Sequence, residues 1–401
     1  MSGGWAALAA LVPAPSGGGG LDAALDSPLG ALLRPLGDTP QEPRWHGEGD
    51  VLTHTRLVLE ALEAAPEFWA LDGERRAALW LAALLHDVGK AACTRLEGGA
   101  WTSPHHGQAG ARLVRALLWR EYGLAGEARG RGLRELVCTL IRHHAAPAHL
   151  FEAPHPERRL LRLAAQGELV PLFSLRLLKM LAEADARGRL AADRAEVLER
   201  LELGFLPAEE LGILERPYAF ASPRAELAYF EGRLAYPAQE LYDDSWGEVL
   251  LLCGLPGTGK DTWLRANAPG LAVVSPDEVR AEYGLPPTGP QEEVMRLAAE
   301  RAKALLRQRI PFAWNATSVS QSLRARQLEL FSRYGARVRI VCLETGWETG
   351  LARNAARVLG GCACGLAVYL SRKTACAPSA GAGFQRRPGV GGWRNSPFCF
   401  V

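Results

Sequence analysis

The sequence lacks a marked excess of charge of either sign, because 46 lysines and arginines face 44 aspartates and glutamates. This balance excludes a basic field over the whole molecule, so any nucleic-acid binding must come from local clusters. A long apolar run is also absent from the opening MSGGWAALAALVPAPSGGGG, which is broken by proline and has no lysine or arginine ahead of its alanines and leucines. We therefore expect neither a signal peptide nor a membrane span there, but a disordered tail over residues 1–40.

Regularly spaced cysteines are absent as well. The eight cysteines are irregularly spaced, and Cys362 and Cys364 are too close to form half of a CxxC zinc knuckle. We therefore expect a reduced, cytoplasmic protein. Acidic residues are absent after Glu348, where glycine, alanine and cysteine accumulate, so residues 358–401 are predicted to be either disordered or a frame-shifted reading of the C-terminus.

Hydrophobic periodicity divides the rest of the chain. Leucine, alanine and valine recur at three- and four-residue spacing from Leu52 to about Leu211, whereas EVLLLCGLPGTGKDTW, starting at Glu248, reads as an apolar strand, a glycine-rich turn and a helix. Further strands follow at LAVVS, PFAWNA and RVRIVCLE, separated by helical stretches. The pattern predicts a multidomain chain with an all-α domain over 41–190, a helical connector over 191–245, and an α/β domain with a parallel sheet over 246–357.

Candidate metal ligands lie in the helical half. A lone histidine on an apolar helix is more often structural, but an unpaired carboxylate inside the apolar segment LLKMLAEADARGR would be costly to bury. One metal centre built from several helices accounts for all of these side chains, and imidazole with carboxylate suits Mn, Fe, Zn, Co or Ni. The predicted ligands are His54, His86, Asp87, His106, His144 and Asp185.

These residues resemble the HD phosphohydrolase superfamily, whose signature of His, His-Asp and a distant Asp is matched by this set, with LLHDVGK especially close. The motifs SPHHG and RHHAAP are similar to those of HD members with a second metal ion, with His105 and His143 as alternative ligands to the two chosen above. The resemblance implies one or two transition-metal ions, and contact between Lys90 and substrate phosphate. Asp87 and Lys90 would then serve catalysis, with an activated water attacking phosphorus without a separate general base.

A phosphate-binding loop is predicted where GLPGTGKD satisfies GxxxxGK between a strand and a helix, although a chance glycine-rich turn is the alternative. Backbone N–H groups would surround the β-phosphate of ATP, and Lys260 would reach the β and γ oxygens. Asp261 stands where Ser or Thr usually binds Mg²⁺, so its carboxylate or Thr262 would hold the ion. The predicted ATP-binding residues are Gly254, Gly257, Thr258, Gly259, Lys260, Asp261, Thr262, Arg353 and Arg357.

The acceptor side is predicted from residues that follow the later strands. Asp277 follows the second strand, where a cleft opens in parallel sheets, and it can accept the proton of an attacking hydroxyl; the alternative is a helix N-cap. Arg353 and Arg357 lie four residues apart and would face one side of a helix, as lid arginines would, although solvated surface charge is the commoner explanation for any single arginine.

SPDEVR, WNATS with its following arginines, and RNAAR together resemble the phage and bacterial polynucleotide 5′-kinases. The resemblance implies that Asp277 is the general base and that Arg357 is the lid arginine. The residues that it places on the nucleic-acid acceptor are Arg280, Asn315, Arg324 and Arg326.

An HD module ahead of such a kinase resembles the bacterial HD-Pnk end-healing enzymes over residues 41–357. The resemblance implies an ATP-dependent kinase acting on 5′-OH ends of RNA or DNA, and a phosphohydrolase removing 2′,3′-cyclic and 2′-phosphates. No membrane partner is implied, and a homodimer is an open alternative. Two other functions stay open: an HD nucleotide phosphohydrolase fused to a small-molecule, nucleoside-type kinase, and a non-catalytic ATP-sensing regulator. The chain departs from the family pattern after Arg357.

Overall fold

The computed structural model describes residues 3–14, 18–286 and 291–359, with side chains up to residue 356. The chain divides into two compact units, Met1–Ala219 and Phe220–Val401. The predicted fold class is confirmed, because a helical unit is followed by a unit with a four-stranded parallel sheet. None of the helices in the described ranges has both the length and the apolarity that crossing a membrane requires.

The first unit is helical apart from a short antiparallel hairpin, β1 (Arg95–Glu97) and β2 (Ala100–Thr102). Its α-helices are α1 Gly3–Ala9, α2 Leu21–Leu25, α3 Gly30–Leu33, α4 Val51–Glu63, α5 Pro66–Ala70, α6 Gly73–Leu85, α7 Lys90–Cys93, α8 His106–Arg120, α9 Ala128–His143, α10 Pro156–Ala164, α11 Gln166–Leu169, α12 Leu175–Gly188 and α13 Arg194–Glu210. A 3₁₀ helix spans Arg34–Asp38.

Helix α6 forms the centre of this unit. Asp72 caps its N-terminus by accepting hydrogen bonds from the backbone N–H groups of Glu74 and Arg75. Every residue from Ala77 to Leu85 is buried, because α4, α9 and α12 all pack against the helix. The apolar run therefore ends in the interior, and it carries the His86–Asp87 pair there.

The prediction of a disordered tail over residues 1–40 is wrong for the part that the structure describes. Helices α1 to α3 and the 3₁₀ helix occupy much of this segment, and Trp5, Leu8, Leu33 and Leu36 are almost completely buried. The physical reason is that these apolar side chains are spaced three residues apart, Trp5 and Leu8 within α1, and Leu33 and Leu36 across the junction of α3 and the 3₁₀ helix. They can therefore pack on one side, with α1 against α6 and the 3₁₀ helix against α4.

The second unit contains the parallel sheet, in the spatial order β4, β5, β3, β6. Its elements are α14 Pro223–Phe230, β3 Glu248–Cys253, α15 Lys260–Asn267, β4 Ala272–Val274, α16 Pro276–Tyr283, α17 Glu292–Arg307, β5 Phe312–Asn315, α18 Gln321–Arg333, β6 Arg337–Cys342 and α19 Trp347–Leu359. Alternate residues of β3 point to different cores, Val249 and Leu251 to one and Leu250 and Leu252 to the other. The carboxyl ends of all four strands lie at one edge, where a ligand site is expected.

The boundary between the units falls inside the predicted connector over 191–245. Helix α13 packs on α12 of the first unit through Val197 and Leu201, whereas α14 belongs to the second unit. The predicted connector is therefore divided, with α13 belonging to the first unit and α14 to the second. Residues 360–401, which make up nearly all of the predicted aberrant segment 358–401, lie outside the described residues.

Candidate functional site

The six side chains predicted as metal ligands come together inside the helical unit. Within three overlapping groups of three, the candidate ligand atoms lie within 4.8 Å of one another. Five of the six residues are buried, and His106 is half-buried. The groups are His54, His86 and Asp87; His86, His144 and Asp185; and Asp87, His106 and His144. Residues separated by up to 131 positions therefore surround one small volume.

Three of the histidines share one orientation, which the backbone imposes. Nδ1 of His86, His106 and His144 lies 2.7, 2.8 and 2.7 Å from the carbonyl oxygen of the residue three positions earlier. A carbonyl oxygen can only accept, so each Nδ1 carries the ring proton and each Nε2 presents a lone pair. Metal-ligating histidines are commonly held in this way.

The lone pairs point at one another, which is unfavourable unless a cation lies between them. Nε2 of His106 is 3.1 Å from Nε2 of His144. In the described part of the chain, His86 Nε2 and Asp87 Oδ1 are buried without a hydrogen-bond partner. Buried acceptors left in this state are costly, and a divalent cation would satisfy all four atoms. The residues present therefore fit a metal ion.

Asp87 lies between the histidines. Its Oδ1 is 3.2 Å from His106 Nε2 and 3.7 Å from His144 Nε2, whereas its Oδ2 is 3.2 Å from His86 Nε2 and 2.7 Å from Lys90 Nζ. Because the two oxygens face different histidines, the cluster can hold one ion or two. Burial acts to raise the pKa of Asp87, but the ammonium of Lys90 helps hold it well below its usual value.

The protonation of the histidines differs across the cluster. Burial lowers the pKa of His144 to about 3 and also lowers that of His106, so both rings are neutral, as metal ligands must be. Burial opposes protonation of His54 too, yet the Asp185 and Glu48 carboxylates raise its pKa. A metal ion at His54 Nε2 would replace the proton now shared with Asp185 Oδ1, 3.1 Å away.

The alternative ligands His105 and His143 stay outside these groups. His105 is exposed, with a left-handed backbone (φ 60°), as the N-cap residue of α8. His143 points elsewhere, and burial together with Arg142 lowers its pKa to about 3.

Four polar residues around the cluster were missed in the sequence. Glu48 Oε1 lies 2.8 Å from His46 Nδ1 and 2.9 Å from His54 Nδ1. Gln41 Oε1 accepts a hydrogen bond of 2.8 Å from Lys90, and Arg189 donates one of 3.3 Å to Asp185. The acid and imidazole in HGEGD were the only signal available, and they lie in an irregular segment without periodicity.

The phosphate loop of the second unit joins the central strand β3 to α15. Gly257 and Gly259 have φ values of 84° and 90°, which favour glycine. A Cβ on Gly254 would lie 2.6 Å from the Leu343 carbonyl oxygen, so only glycine fits there. Lys260 Nζ donates to the carbonyls of Gly254 and Leu255 at 2.9 and 3.2 Å, which holds the ammonium over the loop.

The two residues predicted to hold Mg²⁺ begin α15 and are exposed. Asp261 accepts a hydrogen bond of 2.6 Å from the amide nitrogen of Asn315, at the end of the neighbouring strand β5. Asn315 Oδ1 is buried and has no hydrogen-bond partner among the described residues. Two oxygen atoms of the kind that Mg²⁺ prefers therefore lie beside the loop. Thr262 follows on the same exposed turn, and Arg265 contacts its hydroxyl.

Asp277 and Arg280 lie beyond the end of β4. The N-cap of α16 is Ser275, whose hydroxyl accepts from Glu278 N–H, so capping does not account for Asp277. The Asp277 side chain is 72% exposed and forms an ion pair with Arg280. Arg280 also donates a hydrogen bond of 2.8 Å to Gln291. An exposed carboxylate at this edge can receive a proton from an incoming hydroxyl.

The remaining predicted arginines have different surroundings. Arg324 is buried and donates to the carbonyls of Ser318 and Val319 at 3.0 and 2.8 Å, so it holds the loop ahead of α18. Arg326 is exposed on the same helix. Arg353 on α19 donates to the Gly257 carbonyl at 3.4 Å and so lies against the phosphate loop. The side chain of Arg357 lies outside the described residues.

Comparison with known families divides the chain in the same way. A family profile described as an HD domain matches residues 51–165, and one described as an AAA domain matches residues 249–363. No curated protein matches the chain. The chain thus joins a metal-dependent HD phosphohydrolase domain to a P-loop kinase-like domain.

Proposed function

We propose that this protein heals broken nucleic-acid ends, with an ATP-dependent kinase for 5′-OH termini and a metal-dependent phosphohydrolase for 2′,3′-cyclic phosphates and 2′-phosphates. The observation that carries the proposal is the presence in one chain of two separate sites suited to phosphorus chemistry. One is the cluster of six potential metal ligands, and the other is the phosphate loop with Asp277 at the same sheet edge.

In the phosphohydrolase site, each proposed role follows from an observed contact. The metal supplies an activated water and neutralises phosphate oxygens. Asp87 and the four histidines His54, His86, His106 and His144, with Asp185, would hold one or two ions of Mn, Ni, Co, Zn or Fe. Lys90, whose ammonium now lies between Asp87 and Gln41, is near enough to the cluster to contact a substrate phosphate.

In the kinase site, backbone N–H groups of Gly257, Thr258 and Gly259 would bind the ATP phosphates, and Lys260 would move from the loop carbonyls to the phosphate oxygens. Asp261 and Asn315 would support Mg²⁺, and Thr262 lies close enough to take part. Asp277 would accept the proton of the 5′-hydroxyl while its ion pair with Arg280 orients the carboxylate. The arginines Arg353, Arg357 and Arg326 would contact phosphates of ATP or of the acceptor.

The proposal is tested with an oligonucleotide that has a 5′-OH and a 2′,3′-cyclic phosphate, incubated with ATP, Mg²⁺ and Mn²⁺. Asp277→Ala is expected to abolish only 5′-phosphorylation, because the exposed side chain does not support the fold. Asp87→Ala is expected to abolish only 3′-end hydrolysis, and His106→Ala, at a ligand whose side chain is 20% exposed, serves if the buried change prevents folding. Loss of both reactions in either folded variant would contradict the two-site proposal.

A nucleoside-type acceptor is the second candidate for the kinase, and the position of Arg324 favours it. This arginine was predicted to contact acceptor phosphate, but it is buried and bound to loop carbonyls. Comparing phosphorylation of a mononucleoside with that of an oligonucleotide distinguishes the candidates. An enzyme that heals ends should have a much lower KM for the oligonucleotide than for the mononucleoside.

A further inference from the structure

The segment Pro40–Asp50, which we call the strap, lies just ahead of the residues matched as an HD domain. Its two ends meet in an antiparallel bridge between Pro40 and Asp50, and the Gln41 amide donates to the Asp50 carbonyl at 3.1 Å. Gly47 N–H donates to the Leu190 carbonyl at 3.0 Å, beyond the end of α12. The strap is therefore attached at both ends and in the middle.

Glu48 is the strap residue nearest the metal cluster. Its side chain is fully buried, and it has three neighbours: Oε2 accepts from Leu190 N–H at 2.9 Å, while Oε1 lies 2.8 Å from His46 Nδ1 and 2.9 Å from His54 Nδ1. The contact with His54 is close but is not aligned as a hydrogen bond from the ring N–H. Burial acts to raise the pKa of Glu48, but His46, His54 and the Leu190 N–H hold it far below its usual value.

His54 differs from the other three histidines of the cluster. Those rings are oriented by backbone carbonyls, whereas Nδ1 of His54 faces the carboxylate of Glu48. A carboxylate beside Nδ1 fixes which nitrogen carries the proton and makes the other a better ligand. The orientation of this one ligand therefore depends on a side chain that is 6 positions away in the sequence.

Gln41 acts at the other end of the strap. Its carbonyl oxygen accepts a hydrogen bond of 2.8 Å from Lys90 Nζ, and its amide is held by the Asp50 carbonyl. The same nitrogen also lies 2.7 Å from Asp87 Oδ2. Lys90 is thus held between the cluster and the strap.

We propose that the strap is part of the hydrolytic site, with Glu48 positioning the ligand His54 and Gln41 positioning Lys90 for a substrate phosphate. Both are positioning residues, because each acts through another side chain. The inference rests on the proposed metal centre. It extends the site to a segment that the HD-domain match leaves out.

The first test measures the dissociation constant of Mn²⁺ by competition with a chelating dye, using the full-length protein stripped of metal. Glu48→Ala is expected to weaken binding by about 10- to 100-fold, as loss of such a partner usually does. The isosteric Glu48→Gln keeps the shape but loses the charge, so it should restore only part of the affinity, whereas a purely structural effect on packing would be fully rescued by it. Glu42→Ala is the matched control, because Glu42 lies in the strap but accepts a hydrogen bond from Trp101 N–H, away from the cluster.

The outcomes distinguish a failure of the role proposed for the strap from a failure of the metal centre itself. If the unchanged protein binds Mn²⁺ and both Glu48 variants bind it as tightly as the unchanged protein does, the role proposed for the strap is wrong while the metal centre stands. If the unchanged protein binds no divalent ion, both ideas fail.

The second test concerns Gln41. Gln41→Ala should raise KM for a 2′-phosphate substrate roughly tenfold, the value of one hydrogen bond to a charged group, with kcat and Mn²⁺ affinity unchanged. A fall in kcat alone, or no change in KM, would contradict the role given to Gln41.

Discussion

Replacing Gly89 by alanine should displace the candidate metal ligand His106 through its backbone, with the imidazole itself unchanged. The backbone of Gly89 has φ −70°, which alanine adopts freely, so any effect must be steric. A Cβ there would lie 2.0 Å from the carbonyl oxygen of His106 and 2.6 Å from Gly110 N, both backbone atoms of α8. Since contacts under 3.0 Å essentially never occur, the start of α8 must move by about 1 Å relative to Gly89.

The magnitude follows from that displacement. Misplacing a catalytic group by ~1 Å can cost about 100-fold in rate, and overpacking a core costs roughly 1–3 kcal/mol of stability. We therefore expect Gly89→Ala to lower hydrolysis of a 2′-phosphate by about 100-fold and to lower the free energy of unfolding by ~1–3 kcal/mol. Kinase activity of the same sample should be retained, because the change lies in the other unit.

The assay combines phosphate release, Mn²⁺ titration and urea unfolding of one preparation. Gly73→Ala is the matched control, because Gly73 begins α6 and a Cβ there meets nothing within 4 Å. This control should keep full activity and gain stability of up to ~1 kcal/mol, the usual difference between glycine and alanine in a helix. Full hydrolysis with full metal affinity in Gly89→Ala would refute the described packing of α8 against this glycine.

Three further changes test other parts of the chain. Glu135→Gln should cost ~3–5 kcal/mol in urea unfolding at pH 7, because it removes the charge that is paired with the buried Arg134 and the partly buried Arg115. Burial acts to raise the pKa of Glu135, but the two arginines lower it below the usual 4.5. The stabilisation by this carboxylate is therefore complete above about pH 4.5 and is lost as the pH falls through the lower pKa of the folded state. The difference in unfolding free energy between the variant and the unchanged protein should shrink over that range, and a difference that stays constant would contradict the pairing. Gly254→Ala would place a Cβ 2.6 Å from a backbone carbonyl and should weaken ATP binding in calorimetry, whereas Gly247→Ala, whose nearest contact is 3.6 Å, should not. Arg324→Ala should lower the free energy of unfolding by ~1–3 kcal/mol, because it removes the donor to the carbonyls of Ser318 and Val319. The control Arg326→Ala should leave the unfolding curve unchanged and raise only KM for an oligonucleotide. Equal stability of the two variants would contradict the role of Arg324 in holding the loop.

Sequence alone predicted the two-unit architecture because periodicity changes sharply near Glu248, where β3 begins. The six candidate ligands came from the resemblance to HD proteins and not from helical spacing, since they lie on five different helices or helix ends. The structure brings them into overlapping groups, and metal binding by them stays a prediction. Glu48 could not, because the strap is irregular and its contacts depend on where Leu190 lies after folding. The burial of a single arginine also cannot be predicted from sequence, so Arg324 was expected to contact an acceptor phosphate, whereas in the structure it is buried and binds loop carbonyls.

The helices in residues 1–40 were missed for a related reason. Glycine and proline between the short helices suggest disorder, but they separate segments that each bury one or two apolar side chains, with α1 packed on α6 and the 3₁₀ helix on α4. A helix of four or five residues has too little periodicity to be recognised without its neighbours.

The main-chain contacts of His86, His106 and His144 make the metal cluster unevenly vulnerable to mutation. A carbonyl is supplied by every amino acid, so substitutions at Ala83, Ser103 or Ile141 that keep the local backbone would leave those rings oriented. No such redundancy protects His54. In a saturation screen for hydrolysis, most substitutions at Ala83, Ser103 and Ile141 should therefore keep activity, whereas most substitutions at Glu48, which faces His54, should reduce it.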